Sequence, residues 1–249
     1  MTETRIQELS RYAEAAGRLE GWELEFEPEP LIVGPPWDYE SLAKDFCSDA
    51  EAVLDLGTGG GEVFSRILAN SSCRAVATEW WHVNAPVAWR RLGSRVHVIR
   101  ASSLELPFVS DSFDLVLSRH EEISPTEVAR VLAPGGRFLT QQVIPDVWHE
   151  LRAVFPDMAR FPDHYSEYRR DLVQGGLTIE NALEFRRPVR FNHLGHLVYH
   201  LVAAPWTIPN FSVRSHQEGL AELDRQFRRE HGIVLTEGFY LIQARLRKR

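Results

Sequence analysis

Cysteine and long apolar runs are scarce in this chain of 249 residues, and each scarcity excludes a class of protein. Two cysteines, Cys47 and Cys73, are too few for a disulfide framework, and no second pair completes a zinc site. We therefore expect both to be buried thiols. The longest apolar stretch, 197–206, is interrupted by a histidine and a proline and falls short of the about 20 residues that cross a bilayer. Residues 1–10 lack an apolar signal core, so the sequence predicts a cytoplasmic protein with no membrane-spanning segment.

Positive charge is also in short supply. Lys and Arg together number 28 against 35 Asp and Glu, which gives a net charge of −7. A broad electrostatic grip on a phosphate backbone needs an excess of basic side chains. Nucleic acid is thus disfavoured as a partner, although the net charge alone does not exclude it. The patterns make no prediction about oligomeric state.

The hydrophobic pattern divides this single predicted domain into three parts. Residues 1–47 combine helical spacing with a proline-rich extended stretch and are interpreted as an N-terminal helical cap. In residues 48–143 short apolar runs alternate with helical stretches, which is typical of a parallel sheet built from strand-helix-strand units. Residues 144–249 are predicted to add a helical insertion and the final strands.

The expected fold is α/β, with a doubly wound, mostly parallel, seven-stranded sheet. The predicted strands are 52–56, 74–78, 96–99, 113–118, 136–143, 178–191 and 233–246. The predicted helices are 6–19, 37–46, 63–68, 147–159, 194–201 and 216–230, with Gly21 ending the first of them.

The most specific local pattern is a buried strand that runs into a glycine-rich turn and then into a helix. Gly57, Gly59 and Gly61 let the chain bend tightly and let a ligand approach the backbone, while the helix that follows offers free N–H groups to a carboxylate or phosphate. A dinucleotide fingerprint would need Gly or Ala at position 62, where this chain has Glu62, and a phosphate-binding loop would need a lysine. We therefore expect a different cofactor with an acidic end.

The same turn spells Asp-x-Gly-x-Gly-x-Gly, beginning at Asp55, and two more motifs follow it in order. Residues 106–116 contain Leu-Pro-Phe and Ser-Phe-Asp-Leu-Val, and residues 130–136 read Arg-Val-Leu-Ala-Pro-Gly-Gly. With these motifs the chain resembles class I S-adenosylmethionine-dependent methyltransferases, and within them the type 11 branch, which is similar to enzymes that methylate quinone precursors. The resemblance covers residues 48–143 and implies a Rossmann-like methyltransferase fold with S-adenosyl-L-methionine as cofactor.

The resemblance also implies which residues contact the cofactor. They are Asp55, Gly57, Thr58, Gly59, Gly61, Glu79, Trp80, Ser102, Ser103 and Ser118. In the family, an acidic residue at the position of Glu79 holds the ribose hydroxyls. Ser102-Ser103 stand where the family commonly has an Asp that accepts a hydrogen bond from the adenine amino group; a hydroxyl can accept the same bond more weakly, and a plain loop serine is the alternative. Trp80 and Trp81 either stack on the adenine or pack in the core.

Candidate catalytic residues follow the fourth predicted strand. Methyl transfer from a sulfonium is a one-step displacement, so the protein mainly aligns the reacting atoms and excludes water. His120 is the candidate general base, Glu121 its orienting partner or a ligand for a substrate amine, and Arg119 a candidate ligand for a substrate carboxylate. The alternative is a polar loop whose glutamates cap the helix that begins near Ser124.

Other candidate substrate contacts are Trp37, Tyr39 and Gln142, and alternation along the fifth predicted strand points only one of Gln141 and Gln142 into the pocket, the other being structural or exposed. His193, His196 and Trp206 lie in the late insertion, where branches of this family shape their substrate pockets. The two histidines lack a third ligand, so no metal site is predicted.

Three functions remain open. Methylation of an O, N or C atom of a small molecule comes first, because the chain is acidic and shows no RNA-binding module. RNA or protein methylation is second, and a basic stripe near the cofactor would favour it. A catalytically silent cofactor-binding subunit that regulates a partner is third, because a glycine motif indicates binding and not turnover.

Overall fold

The computed structural model describes residues 1–248; Arg249, the last residue of the predicted third part, lies outside the described residues. The strands are β1 (Glu29–Pro30), β2 (Ala52–Leu56), β3 (Arg74–Thr78), β4 (Val96–Ile99), β5 (Phe113–Arg119), β6 (Leu132–Val143), β7 (Leu177–Phe191) and β8 (Ile233–Leu246). The helices are α1 (Glu3–Ala16), α2 (Tyr39–Ser48), α3 (Glu62–Ile67), α4 (Asn84–Leu92), α5 (Pro125–Val131), α6 (His164–Gln174), α7 (Leu194–Ala203) and α8 (Gln217–Glu230).

One sheet joins all the strands, in the order β1-β7-β8-β6-β5-β2-β3-β4. The strands β4, β3, β2, β5 and β6 are parallel neighbours, and β8, β7 and β1 add antiparallel pairs at one side. The sheet reverses its direction of growth at β2 and β5, so the carboxyl ends of these two strands flank the crevice where such folds bind ligands. The glycine-rich turn follows β2, and residues 119–122 begin at the end of β5.

Alternating side chains bury the parallel strands on both faces. Leu54 and Val116 belong to an apolar cluster that also contains residues of α5 and α6. Val53 and Leu117 point the other way, into a cluster with residues of α2, α3 and α4. Burial on both sides explains why these strands have nearly continuous apolar sequences. A third cluster packs α1 against α7 and α8 at the antiparallel end, and it completes the predicted cap and insertion.

Several predicted boundaries were wrong. The sheet has eight strands, because the proline-containing pair Glu29–Pro30 joins the edge of β7, where a proline costs no ladder bond on the open side. α1 ends at Ala16 with Gly17 as its cap, so Gly21 does not terminate it. The predicted helix 147–159 is only a 3₁₀ turn, His149–Ala153, which follows Trp148 at a φ of 52°. Cys47 is buried as predicted, whereas Cys73 is only partly buried.

No helix within the described residues is both long enough and apolar enough to span a bilayer.

Candidate active site

The glycine-rich turn adopts left-handed backbone angles that favour glycine. Gly57, Gly59 and Gly61 have φ values of 61°, 62° and 81°. The N–H of Thr58 donates to the carbonyl of Thr78 at 2.9 Å, which ties the turn to the end of β3. A Cβ added at Gly57 would lie 2.4 Å from Cγ of Glu121. Glycine at this position therefore lets the Glu121 side chain lie directly against the backbone of the turn.

Three carboxylates meet at this turn. Glu79 accepts hydrogen bonds from the N–H groups of Gly59 and Trp81, both at 2.7 Å. Burial raises the pKa of Asp55 to about 7, with repulsion from Glu79 and Glu121 adding to the shift. Burial likewise raises the pKa of Glu121 to about 7, and burial raises the pKa of Glu79. A cationic ligand would stabilise the ionised form of all three, so the charge arrangement suits a positively charged group.

The residues predicted to contact adenine separate into inner and outer positions. Ser103 is 2% exposed and its hydroxyl lies beside the Glu121 carboxylate. The hydroxyl of Ser102 instead accepts from the N–H of Leu104 within its own turn, at 3.1 Å. Trp80 is 62% exposed and stacks against the guanidinium of Arg100. Ser103 is therefore better placed than Ser102 to meet a ligand over the glycine-rich turn.

Residues 17–38 connect α1 to α2 and cross the carboxyl edge of the sheet; we call them the strap. The N–H of Gly21 donates to Oδ1 of Asn84 at 3.1 Å, and the N–H of Trp22 donates to Oε1 of Glu62 at 3.2 Å. Farther along, Nε2 of His200 is hydrogen-bonded to the carbonyl of Phe26, and β1 pairs with β7. The strap therefore covers the glycine-rich turn from the α4 side to the antiparallel end of the sheet.

Three indole rings close the strap over the turn. The rings of Trp22, Trp81 and Trp206 contact each other edge to face, with centroids 5.4–5.9 Å apart. A Cβ on Gly59 would lie 2.4 Å from Cδ1 of Trp22. The sequence analysis missed both Trp22 and Glu62 as site residues. Gly21 was the sequence signal for this contact, although the pattern assigned it to the end of a helix. Its φ of 77° and the absence of a Cβ let the strap pass close to Glu62.

A second group of polar side chains lies beyond the end of β5. Arg119 is half-buried at the end of β5, where burial lowers the pKa of its guanidinium and the carboxylates of Glu40 and Asp55 partly oppose this shift. His120 has a φ of 59°, and its ring stacks on Phe239 at 5.5 Å. The His120 side chain is exposed, yet the protein around it and the charge of Arg119 hold its pKa well below the usual range. The imidazole is therefore neutral at pH 7, and we call the solvent-accessible space beside its ring the cleft.

A hydrogen-bond chain fixes the imidazole. Nε1 of Trp37 donates to Oε1 of Gln141 at 2.8 Å, and Nε2 of Gln141 lies 3.3 Å from Nε2 of His120. Because an indole N–H can only donate, the amide oxygen of Gln141 is its acceptor and the amide N–H groups face the histidine. Nε2 of His120 is then the basic nitrogen, and Nδ1 carries the proton.

The neighbouring glutamine has a structural role. Gln142 is buried and its Nε2 donates to the carbonyl of Glu121 at 2.7 Å, to Ser118 at 3.1 Å and to Thr140 at 2.8 Å. Gln141 is also buried, and it is the glutamine that reaches His120 and Trp37. The two side chains alternate as expected, but Gln142, which was predicted to contact substrate, points elsewhere.

The predicted pairing of His120 with Glu121 does not occur. Glu121 lies over Gly57 and beside Ser103, whereas the partners of His120 are Phe239 and Gln141. The glutamates do not cap the next helix either, because the hydroxyl of Ser124 accepts from the N–H of Glu127 at 3.3 Å. Adjacent residues diverge here since the left-handed angle of His120 turns the chain.

His193 and His196 take part in an aromatic cluster. The ring of His196 stacks on Phe26 at 4.5 Å, and Nδ1 of His193 accepts from the N–H of Gly195 at 3.0 Å. The described part of the chain holds no group of three or more His, Cys, Asp or Glu side chains arranged to bind a metal.

Comparisons with known proteins agree with the predicted resemblance. Residues 54–140 match the family model described as "Methyltransferase domain". Over 98 residues the chain is 37% identical to a demethylmenaquinone methyltransferase of Clavibacter sepedonicus, a match that covers 36% of this chain and 40% of that protein. The chain thus spans about two fifths of the length of the curated relative that it matches. The resemblance to class I methyltransferases is confirmed for this core.

Solved structures extend the likeness to the whole fold. A protein of Deinococcus radiodurans R1 described as functionally unknown is 17% identical, covers 95% of this chain and 99% of its own, and superposes with a TM-score of 0.60. Geranyl diphosphate C-methyltransferase of Streptomyces coelicolor A3(2), solved with Mg²⁺, geranyl diphosphate and S-adenosyl-L-homocysteine, is 15% identical, covers 95% of this chain and 97% of its own, and gives a TM-score of 0.52. The Rossmann-like methyltransferase fold is therefore confirmed, apart from the strand count.

Proposed function

We propose that this protein, whose core is a methyltransferase domain, binds S-adenosyl-L-methionine over the glycine-rich turn and transfers its methyl group to a small molecule in the cleft beside His120. The observation that carries the proposal is the convergence of Asp55, Glu79 and Glu121 on that turn, with their pKa values raised. S-adenosyl-L-methionine has a positively charged sulfur and an ammonium group. Either cation would stabilise the ionised form of these carboxylates.

The residues present fit this cofactor. Glycine at positions 57 and 59 lets Glu121 and Trp22 lie against the backbone of the turn, where a Cβ would clash with them. Glu79, at the end of β3, keeps carboxylate lone pairs available for hydroxyl groups while two backbone N–H groups hold it in place. Of the two serines predicted for the adenine contact, Ser103 has the buried hydroxyl. Asp55 and Glu121 would then stabilise the cationic part of the ligand.

On the acceptor side, the cleft supplies orientation and a proton acceptor. When bound there, the cofactor would supply a methyl group on a cationic sulfur for transfer to an O, N or C atom of the acceptor. His120 accepts the acceptor's proton at Nε2, once the acceptor displaces the Gln141 amide from that atom. The strap excludes water from the reacting atoms.

The free thiols of Cys47 and Cys73 fit the cytoplasmic location that the sequence predicts.

The test is calorimetric titration of the wild type, Asp55→Asn, Glu79→Gln and the control Glu105→Gln with S-adenosyl-L-methionine and S-adenosyl-L-homocysteine. Glu105 is an exposed acid near Ser103 and tests for a general charge effect. We expect the first two variants to lose about tenfold or more in affinity, because each removes a charge-assisted contact, and the control to bind like the wild type. Failure of the wild type to bind either ligand would reject the proposal.

Turnover is measured separately, as release of S-adenosyl-L-homocysteine in the presence of a panel of phenols, amines and carboxylic acids. Product formation that is lost in His120→Gln supports a methyltransferase with His120 as base. Tight cofactor binding without turnover of small molecules, RNA or protein would instead identify a regulatory cofactor-binding subunit.

A further inference from the structure

The geometry points to Arg119 as the binding site for an organic carboxylate in the cleft, an inference that rests on the proposed function. The guanidinium is half-buried at the end of β5, next to His120. Within residues 1–248 it takes part in no hydrogen bond and no ion pair, although it lies close enough to Asp55 and Glu40 to interact through charge. A guanidinium surrounded by protein and left unpaired is costly, so its position calls for an anionic ligand.

The acids around Arg119 do not neutralise it. Glu40 forms a two-pronged ion pair with Arg66, at 2.5 and 3.0 Å. Burial raises the pKa of Asp55 to about 7, so that carboxyl is only partly ionised at neutral pH. The exposed Glu27 lies near both Arg119 and Arg187 but makes no ion pair with either one in the described chain. The positive charge of the Arg119 guanidinium is therefore not balanced by the acids around it.

The surroundings also indicate the body of the ligand. The ring of Trp37 contacts Phe185 at 6.4 Å, and Phe239 stacks on His120. Trp37 also donates to Gln141, which is the β6 neighbour of Arg119, so aromatic rings lie on the elements that flank Arg119 and His120. The fork of a guanidinium matches the two oxygens of a carboxylate. Arg187 is already paired with Glu237, so Arg119 offers one unpaired guanidinium near Glu27, which matches a monocarboxylate better than a doubly charged phosphate.

A carboxylate can reach Arg119 from the acceptor or from the amino-acid end of the cofactor, and two titrations separate these sources. In the first, the wild type, Arg119→Gln, Arg119→Lys and the control Arg90→Gln are titrated with S-adenosyl-L-methionine and with its decarboxylated analogue. Arg90 is an exposed cation on α4 that pairs with Glu20. In the second, the same proteins saturated with S-adenosyl-L-homocysteine are titrated with benzoate and with benzamide, which differ only in the charged group.

The expected result is that Arg119→Gln loses about tenfold or more in affinity for the carboxylate member of one pair, while its affinity for the member without a carboxylate is unchanged. Loss for S-adenosyl-L-methionine identifies the cofactor as the source, and loss for benzoate identifies the acceptor. Arg119→Lys keeps the charge without the fork and should lose less, and Arg90→Gln should match the wild type. Thermal unfolding checks that the variants fold. If Arg119→Gln does not fold, the comparison of Arg119→Lys with the wild type decides the result.

The inference would be overturned if the wild type and both Arg119 variants showed the same ratio of affinities for the ligands with and without a carboxylate in both titrations. If the wild type binds S-adenosyl-L-methionine in that experiment, the proposed function stands and only the role of Arg119 fails. If the wild type binds no form of the cofactor, the proposed function fails and the inference fails with it.

Discussion

The carboxylate of Glu62 accepts a hydrogen bond from the backbone N–H of Trp22, 40 residues earlier in the chain, so the first residue of α3 holds the strap over the glycine-rich turn. Glu62 is 5% exposed, and Arg91 on α4 reaches it at 3.5 Å. Arg91 also donates to the carbonyl of Gly60 at 3.0 Å. One buried carboxylate therefore links the strap, the turn and α4.

Replacing Glu62 with Ala should loosen the strap. The N–H of Trp22 would lose its acceptor, at a cost of about 1 kcal/mol for a partly buried hydrogen bond. We expect faster limited proteolysis within residues 17–38 and a changed tryptophan fluorescence, since Trp22 contacts Trp81 and Trp206. The control is Glu23→Ala, which removes an exposed partner of the same Arg91. Equal proteolysis of the two variants would show that Glu62 does not hold the strap.

A second prediction concerns the attachment of α1. Nε and Nη2 of Arg5 donate to Oδ1 of Asp224 on α8 at 3.1 and 2.7 Å, and both side chains are mostly buried. Arg5→Ala should therefore lower the free energy of unfolding by about 2–3 kcal/mol, because it leaves the carboxylate of Asp224 partly uncompensated. Arg214→Ala breaks an exposed pair with Glu3 and should change it by less than about 1 kcal/mol. Urea unfolding of both variants checks this, and a smaller effect for Arg5 than for Arg214 would contradict it.

The third prediction is that the ligand-free protein becomes less stable between pH 5 and pH 8. In the folded state the pKa values of Asp55 and Glu121 are raised to about 7, well above those of unfolded chains. The folded protein thus holds protons that the unfolded protein has lost, so this stability is fully present below pH 4 and is lost as the pH rises through 7. Melting temperatures should fall across this range, and less steeply in Glu121→Gln. The control Glu105→Gln should follow the wild type, and a Glu121→Gln slope equal to the wild type's would refute the assignment.

Most of the parallel strands could be predicted from sequence because each is a short run rich in apolar residues. The bounds 52–56, 74–78 and 96–99 agree with β2, β3 and β4, and 233–246 agrees with β8. The strand β1 could not be predicted in this way, since its two residues, one of them proline, become a strand only by pairing with β7. The 3₁₀ turn at His149–Ala153 has helical spacing in sequence, but the left-handed angle at Trp148 limits it to one turn.

The features of the site also divide into those that local sequence predicts and those that depend on contacts between distant residues. The glycine-rich turn and Glu79 are local features of strand ends, and their sequence pattern was sufficient to locate them. The contacts of Trp22 with Glu62 and of Trp37 with Gln141 join residues 40 and 104 positions apart. The divergence of His120 and Glu121 depends on one backbone angle that no neighbouring residue indicates. These features required the three-dimensional arrangement.

The last prediction is that cofactor binding releases protons at pH 7. Without a ligand, Asp55 and Glu121 are each about half protonated there, because their pKa values are about 7. The positive charge of S-adenosyl-L-methionine should lower both values and expel part of this proton load, so the affinity should rise from pH 6 to pH 8. S-adenosyl-L-homocysteine lacks the sulfonium charge and should release fewer protons. Calorimetry at pH 7 in phosphate and in Tris, whose ionisation heats differ, counts the released protons, and Asp55→Asn should lower the count. Identical binding heats in the two buffers would mean that the carboxylates do not respond to the cation, and the electrostatic basis of the proposed cofactor site would then be wrong.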